Sequence, residues 1–502
     1  MRQFFFIFGI TALIITTVIY LFFDVGLLFI LFLIILLLIG YANTVQHKHA
    51  ILRNFPVLGY FRYLFEMIAP EIQQYFIERN TDGKPFSRNQ RTLAYQRSKN
   101  IDATIPFGTQ LDINQSCYEG IKHSIFPAIV NKDLPRVIVG GPDCKQPYSA
   151  SLLNISAMSF GSLSENAIIA LNKGAFKGNF YHNTGEGGLT KFHQQGGDVT
   201  WQIGTGYFGC RDEKGGFDKD KFAEKANLPE VKMIEIKLSQ GAKPGHGGVL
   251  PAAKNTEEIA KIRGVLPHTT ILSPPGHTAF TNTKGLITFI ATLRELSNGK
   301  PIGFKLCIGQ TSEFEAICQE MIIQNCFPDF ITVDGAEGGT GAAPIEFSDG
   351  VGMPFEPALI FVNKTLVFYG IRDKIRVISS GKIISGYSIL KTVALGADIC
   401  NSARGFMFSL GCIQALRCNT NTCPTGVATQ DKMLMKGLVV TDKSERVFYF
   451  HHNTLHAANE LLAAAGKKSF SDVDINIFMR GDEFTHLSDL YFPDNLKSVT
   501  KH

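Results

Sequence analysis

From Phe4 to Gly40 nearly every position is apolar, and Asp24 is the one charged interruption. As a single helix this run would reach about 55 Å, against a hydrocarbon core of about 30 Å. The pattern therefore predicts two membrane-spanning helices, Phe4–Phe23 and a shorter Val25–Tyr41, turning at Asp24-Val25-Gly26 and forming a hairpin within residues 1–44. Arg2 precedes the first span, His47, Lys48, His49 and Arg53 follow the second, and the tip carries no Lys or Arg. The positive-inside bias then predicts an anchor in the inner (cytoplasmic) membrane, with both ends and the remaining chain in the cytoplasm. A cleaved signal peptide is the competing reading, and the length of the apolar run argues against it.

The pattern changes at residue 45. HAILRNFPVLGYFRYLFEMIAPEIQQYFIERN carries aromatic and aliphatic residues at mixed three-four spacing, interrupted by Pro56 and Pro70. It predicts amphipathic helix, lying either on the membrane surface or on the main domain. TDGKPFSRNQRTLAYQRSKN reads as extended, so residues 45–104 form an amphipathic and extended connector. Over residues 105–435, short apolar runs alternate with helical segments. LLNISAMSF, EVKMIEIK, TTILSPPG, IGFKLCIG, DFITVDG, IRVISSG and ADICNSARG read as buried strands, with SENAIIALNKGAFKG, TEEIAKIRGV and GYSILKTVALG as helices among them. Continuous apolar strands joined by helices predict a parallel α/β sheet covered on both faces. The number of units favours a closed (β/α)8 TIM barrel over an open sheet. Residues 436–502 form a C-terminal helical extension around RVFYFHHNTLHAANELLAAAGKK.

Composition sharpens this picture. A hydrophobic share of 45% and 48 glycines suit a globular α/β protein, and a net charge of +5 on scattered basic residues argues against nucleic acid as a partner. Ten cysteines without regular pairing point to a reducing compartment rather than a disulfide framework.

Candidate chemistry collects where strands end. The successive ends VISSGKIISG and ICNSARGFMF offer backbone N–H groups of Ser380, Gly381, Lys382, Arg404 and Gly405 for a phosphate. VDGAEGGTGAAP lacks dinucleotide-fingerprint spacing; its glycines suit close approach to a flat ring or a phosphate, with Asp334 and Glu337 either orienting polar groups or capping a turn. In IEIKLSQGAKPGHGGVLP, Lys237, Gln240, Lys243 and His246 are either cofactor-facing or solvated, and HNTGEGGLTKFH adds a glycine-rich turn with Glu186. Cys412, Cys418 and Cys423 crowd into GCIQALRCNTNTCPTGVATQ. Thiols so placed either hold an iron–sulfur cluster or are buried cysteines. A structural zinc site would want a fourth ligand, and the loop has no histidine.

Taken together, NISAMSFGSLSENA, NTGEGG, EIKLSQGAKPGHGGVLP, LSPPGH, DGAEGGTGAAP and GCIQALRCNTNTCPTGVATQ resemble the FMN-binding synthase domain of glutamate synthase, in family order across roughly residues 150–430. The anchored N-terminus resembles the stand-alone, single-domain members. The resemblance implies a barrel that binds FMN through Ser159, Thr184, Lys243, Asp334, Gly338, Gly339 and the two phosphate loops. It also implies a [3Fe-4S] cluster on Cys412, Cys418 and Cys423. Lys243 would sit beside both flavin and 2-oxo acid, Arg263 would pair with a substrate carboxylate, and Glu186 would lie near the ammonia entry side. The implied reaction is reductive amination of 2-oxoglutarate, or a related 2-oxo acid, to glutamate.

Departures from the family pattern bear on the substrate. Val249 replaces a glutamine that touches the 2-oxo acid, and His246 replaces an acidic residue. Reading the chain from Met1-Arg2-Gln3 finds no N-terminal catalytic cysteine, glutaminase domain or NADPH domain. Ammonia is then expected from solution or a partner, and electrons from a ferredoxin, a reductase subunit or a membrane carrier. Two other functions stay open: an amino-acid or N-substituted amino-acid dehydrogenase that passes electrons to a membrane acceptor, and a non-catalytic, membrane-tethered flavin-binding scaffold or sensor.

Overall fold

The computed structural model describes residues 1–481 and 485–487. The chain divides into two compact units, Met1–Arg88 and Asn89–His502. In the first, helices Arg2–Phe23 and Leu27–Val45 pack side by side. Asp24 and Gly26, at φ 53° and 103°, take the left-handed backbone that the reversal requires. Close contact needs a missing side chain at Gly40, where a Cβ would fall 2.1 Å from the Phe5 ring. Both helices are long and apolar enough to cross a membrane. The second extends to Val45, beyond the expected Tyr41, so it is not short: about 28 Å at ~1.5 Å per residue. Helices Ala50–Asn54 and Gly59–Ile72 follow, and a π-turn at Gln73–Ile77 ends the run.

The expected extended connector is helical from Arg88 to Ser98. That stretch has no apolar stripe, but Ala94 and Ser98 are buried, and the Tyr95 hydroxyl donates to the Cys412 carbonyl at 2.6 Å. Tertiary contact, rather than local pattern, makes this helix.

Eight parallel strands close the barrel of the second unit: β1 Leu153–Ile155, β2 His182–Asn183, β3 Val199–Ile203, β4 Val231–Lys237, β5 Ile302–Cys307, β6 Phe330–Asp334, β7 Arg376–Ser380 and β8 Ile399–Ser402. The (β/α)8 fold is as expected, with one expected strand left outside the barrel and two others gained. TTILSPPG supplies only Ile271–Leu272, paired antiparallel with Val249–Leu250 outside the barrel, and Leu272 is 68% exposed. Its place is taken by β2 and β3, whose sequences HN and VTWQI lack a long apolar run. Register aligns the chemistry at the strand ends: Asp334 lies opposite both Cys307 and Ser380, and Lys305 opposite Lys237.

The two ends of the barrel differ. The hairpin Arg136–Val139 with Tyr148–Ser151 brings Val139, Tyr148 and Ala150 against Met233, Phe330, Ile378 and Ile399, an apolar plug in the lower barrel. Above it the interior becomes polar. Glu235, only 1% exposed, accepts from Asn183 at 2.8 Å, Gln202 at 2.6 Å and Thr332 at 2.6 Å. The helix Val440–Ala464 packs on Glu165–Gly178 and Gly386–Ala394, forming the expected C-terminal helix. Residues 482–484 and 488–502 of the extension lie outside the described residues.

Asp329 pins the lower rim, accepting from Gly141 N at 2.6 Å, Ile302 N at 2.8 Å and Arg294 Nη2 at 3.1 Å. Asp329→Ala would strand a buried guanidinium and is expected to cost about 3–5 kcal/mol. Denaturant unfolding followed by fluorescence of Trp201, the single tryptophan and fully buried, measures it directly.

Candidate active site at the barrel mouth

The C-terminal strand ends carry a layer of buried charge. Lys237, at the end of β4, contacts Glu186 at 3.0 Å and donates to Gln240. Lys305 of β5 contacts Asp334 of β6 at 2.9 Å, and the Gly241 N–H donates to the same carboxylate at 3.1 Å. Strand geometry places these groups: side chains at the final inward positions point into the mouth, and a charge there must be paired because water is excluded.

Glu186, on the turn after β2, is the centre of the site. Burial pushes its carboxyl up, but Lys237, Lys243 and Arg263 more than offset this and hold it below the ordinary carboxylate range. Lys243 is 2% exposed and donates to the Ala342 carbonyl at 2.8 Å. Burial lowers it to about 8, against the raising effect of Glu186. Arg263, at the end of helix Glu257–Arg263, donates through Nη2 to the Phe160 carbonyl at 3.0 Å and lies over the Phe208 ring at 5.0 Å. Its Nε is buried without a partner, and burial lowers the guanidinium to about 10. That orphaned donor suits a carboxylate.

Beside this group, His277 donates from Nε2 to the Lys237 carbonyl at 2.9 Å and accepts at Nδ1 from the Tyr207 hydroxyl at 3.0 Å. Burial lowers it to about 4, so the imidazole is neutral and its tautomer is fixed.

The other expected cofactor residues fall into two sets. Asp334, Gly338, Gly339 and Arg404 are brought together: a Cβ on Gly339 would sit 2.1 Å from the Arg404 guanidinium, so only glycine leaves room for it. Ser380 and Ser156 share a hydrogen bond at 3.0 Å beside Gly381, which lies against Phe355, and half-buried Lys382. Gly405 packs on Phe450 at the start of helix Arg404–Ser409. Ser159 donates to Ser162 at 3.1 Å. Thr184 is different, because its hydroxyl donates to Gly185 O at 2.9 Å and accepts from Gln202 N at 3.1 Å. That hydroxyl is engaged inside the protein.

Of the departing residues, His246 donates to the Gly247 carbonyl at 2.8 Å, and Val249 follows Gly248, against which Glu186 packs.

The three cysteines interact with one another. Burial pushes Cys412 up to about 12, with Cys418 and Cys423 adding to the rise. Burial and then Cys423 raise Cys418. Cys423 goes the other way: burial would raise it, but the Thr425 hydroxyl and the N–H groups of Ala428, Thr425 and Val427 draw it below its ordinary value. A thiol ringed by donors is prepared to bind as thiolate. Arg404 connects the two regions: its guanidinium lies against Gly339 at the mouth, and the helix it opens, Arg404–Ser409, runs into Cys412, whose N–H donates to the Met407 carbonyl at 3.0 Å.

Lys305 and Glu235 are buried charged residues at the barrel mouth that pattern reading passes over. The available signal is a charged residue inside a strand otherwise fully buried, as in IGFKLCIG and EVKMIEIK.

The family model described as a conserved region in glutamate synthase matches residues 137–468. The chain belongs to the glutamate synthase family. It is an oxidoreductase. It is 38% identical over 466 residues to the glutamate synthase large subunit-like protein YerD of Bacillus subtilis, covering 84% of this chain and 88% of that one. It is 34% identical to the archaeal glutamate synthase [NADPH] of Methanocaldococcus jannaschii, covering 64% of this chain and 60% of the relative. With the glutamate synthase [NADPH] large chain of Azospirillum brasilense it shares 30% identity over 355 residues, spanning only 22% of that chain. Among solved structures, a mandelate oxidase complex with benzaldehyde aligns at 13% identity and TM-score 0.45, over 84% of this chain and 97% of that one.

The Glu186–Lys237 pair should behave as one energetic unit. Glu186→Gln or Lys237→Met alone is expected to cost about 3–5 kcal/mol. The double substitution should cost less than the sum by at least ~1 kcal/mol, and denaturant unfolding of all four proteins measures that coupling.

Proposed function

We propose that the barrel mouth binds FMN, that Cys412, Cys418 and Cys423 hold a [3Fe-4S] cluster, and that the protein reductively aminates 2-oxoglutarate or a related 2-oxo acid. The observation that carries this reading is Arg404, whose guanidinium lies against Gly339 of the Asp334 loop and whose helix, Arg404–Ser409, leads directly into Cys412, the Cys412 N–H donating to the Met407 carbonyl at 3.0 Å. This placement supports a sulfur-ligated centre within electron-transfer reach of a ring at the mouth.

The residues present fit both groups. Five cationic side chains (Lys237, Lys243, Arg263, Lys305 and Arg404) meet three carboxylates (Glu186, Glu235 and Asp334), an excess of positive charge suited to a phosphate and a dicarboxylate. Three cysteines in one loop supply by their chemistry the donor set of a sulfur-ligated cluster, while among the described residues no three His, Cys, Asp or Glu side chains are grouped to hold a single metal ion. When bound, FMN supplies two-electron transfer to the substrate carbon and the cluster supplies one-electron exchange with an external carrier.

The chain's own residues do the rest. Arg263 presents its unpartnered Nε to a substrate carboxylate, while Phe208 and the Phe160 carbonyl fix the plane of the guanidinium. Lys243, charged below about pH 8, offers its ammonium to oxygen of the 2-oxo acid or to the ring. Glu186, kept ionised by its cationic neighbours, accepts hydrogen bonds from ammonia or ammonium and positions the nitrogen. Burial of all three excludes water.

The two apolar helices support a membrane anchor with the barrel in the cytoplasm. They also favour a second reading, in which an amino acid or N-substituted amino acid is oxidised and electrons pass to a membrane carrier. Assays with ferredoxin and quinone separate the two: exchange with ferredoxin alone discards the second.

Purified protein should contain FMN and iron, and Cys418→Ser should lose the iron and its EPR signal while retaining FMN. A flavin-free, iron-free preparation would refute the proposal. Binding of the 2-oxo acid should be tight below about pH 8 and weaken roughly tenfold per unit above it, as Lys243 loses its proton. In Lys243→Arg the charge persists, so calorimetric titration across pH should show that decline removed.

A further inference from the structure

Beside the cysteine loop lies a cation that the reaction scheme leaves unused. Lys254 is 1% exposed, and its ammonium donates to the carbonyls of Ser162 at 2.5 Å, Cys418 at 3.1 Å and Ala428 at 3.2 Å. These acceptors come from three segments: the loop after β1, the middle of the cysteine loop and the chain just beyond it. Three donors meet three carbonyls, so its hydrogen-bonding capacity is filled.

Its charge is another matter. Carbonyls are dipoles and do not neutralise an ammonium, and an unpaired buried charge is strongly destabilising. Among the described residues no carboxylate forms an ion pair with Lys254, and its three partners are all backbone carbonyls. The hydrogen bond to the Cys418 carbonyl sets the ammonium against the middle of the cysteine loop. One-electron reduction adds a negative charge to a cluster, and a nearby cation shielded from solvent stabilises the product more than the reactant.

We infer that Lys254 is a positioning residue for the iron–sulfur centre, tying the cysteine loop to the barrel and raising the cluster's midpoint potential. The inference rests on the cluster assignment proposed above. Removing the charge should shift the reduction equilibrium toward the oxidised form by tenfold or more, about 59 mV for a one-electron couple.

The test uses the full-length holoprotein, with iron and FMN quantified first. Mediated redox titration followed by EPR then compares wild type, Lys254→Met and Lys254→Gln, the last keeping hydrogen-bond donors without the charge. A cluster at lower potential in every variant that retains iron, with the flavin potential unchanged, supports the inference, and restoration by Lys254→Arg strengthens it. A cluster at wild-type potential in either variant overturns it. Loss of iron from both variants with FMN retained overturns the electrostatic role and leaves only a structural tie. Absence of iron from the wild-type protein refutes the cluster assignment itself, and is seen before any variant is made.

Discussion

Paired charge at the strand ends is the constraint on which the site depends. A barrel closed by eight parallel strands directs several side chains into one small space, and here those include Lys237, Lys305, Glu235 and Asp334. None is tolerable alone away from water, and together they form ion pairs and hydrogen bonds that stiffen the mouth. The apolar plug beneath supplies the cohesion that this layer does not. Stability is thus concentrated at one end of the barrel and chemistry at the other.

Around that layer, loops from distant parts of the chain are held by individual side chains rather than by extended packing. Gly241 is joined to Asp334, Arg263 to Phe160, and Lys243 to Ala342. Each tie crosses between different βα units, so the pocket is assembled only when the barrel has closed. Arg404, against Gly339, and Lys254, on the Cys418 carbonyl, extend this arrangement to the cysteine loop.

Much of this was legible from the sequence, for identifiable reasons. Strands such as DFITVDG and IRVISSG are buried on both faces and stand out as apolar runs. Glycine-rich strand ends and the three-cysteine loop announce chemistry through composition alone. The failures are equally physical. β2 and β3 point polar residues, Asn183 and Gln202, into the barrel to reach Glu235, which breaks the apolar signal. TTILSPPG has strand-like composition but forms only a two-residue rim ladder. Ion pairs such as Lys305 with Asp334 join residues far apart in the chain, and no local pattern reports them.

The bond from the Tyr95 hydroxyl to the Cys412 carbonyl bears on how this protein can be handled. Helix Arg88–Ser98 precedes the barrel by more than fifty residues in the chain, yet it steadies the backbone of the first cysteine. Trimming the apolar leader to obtain a soluble enzyme is safe only if the cut falls before this helix. A cut made at the first barrel strand would free the three-cysteine loop from this support.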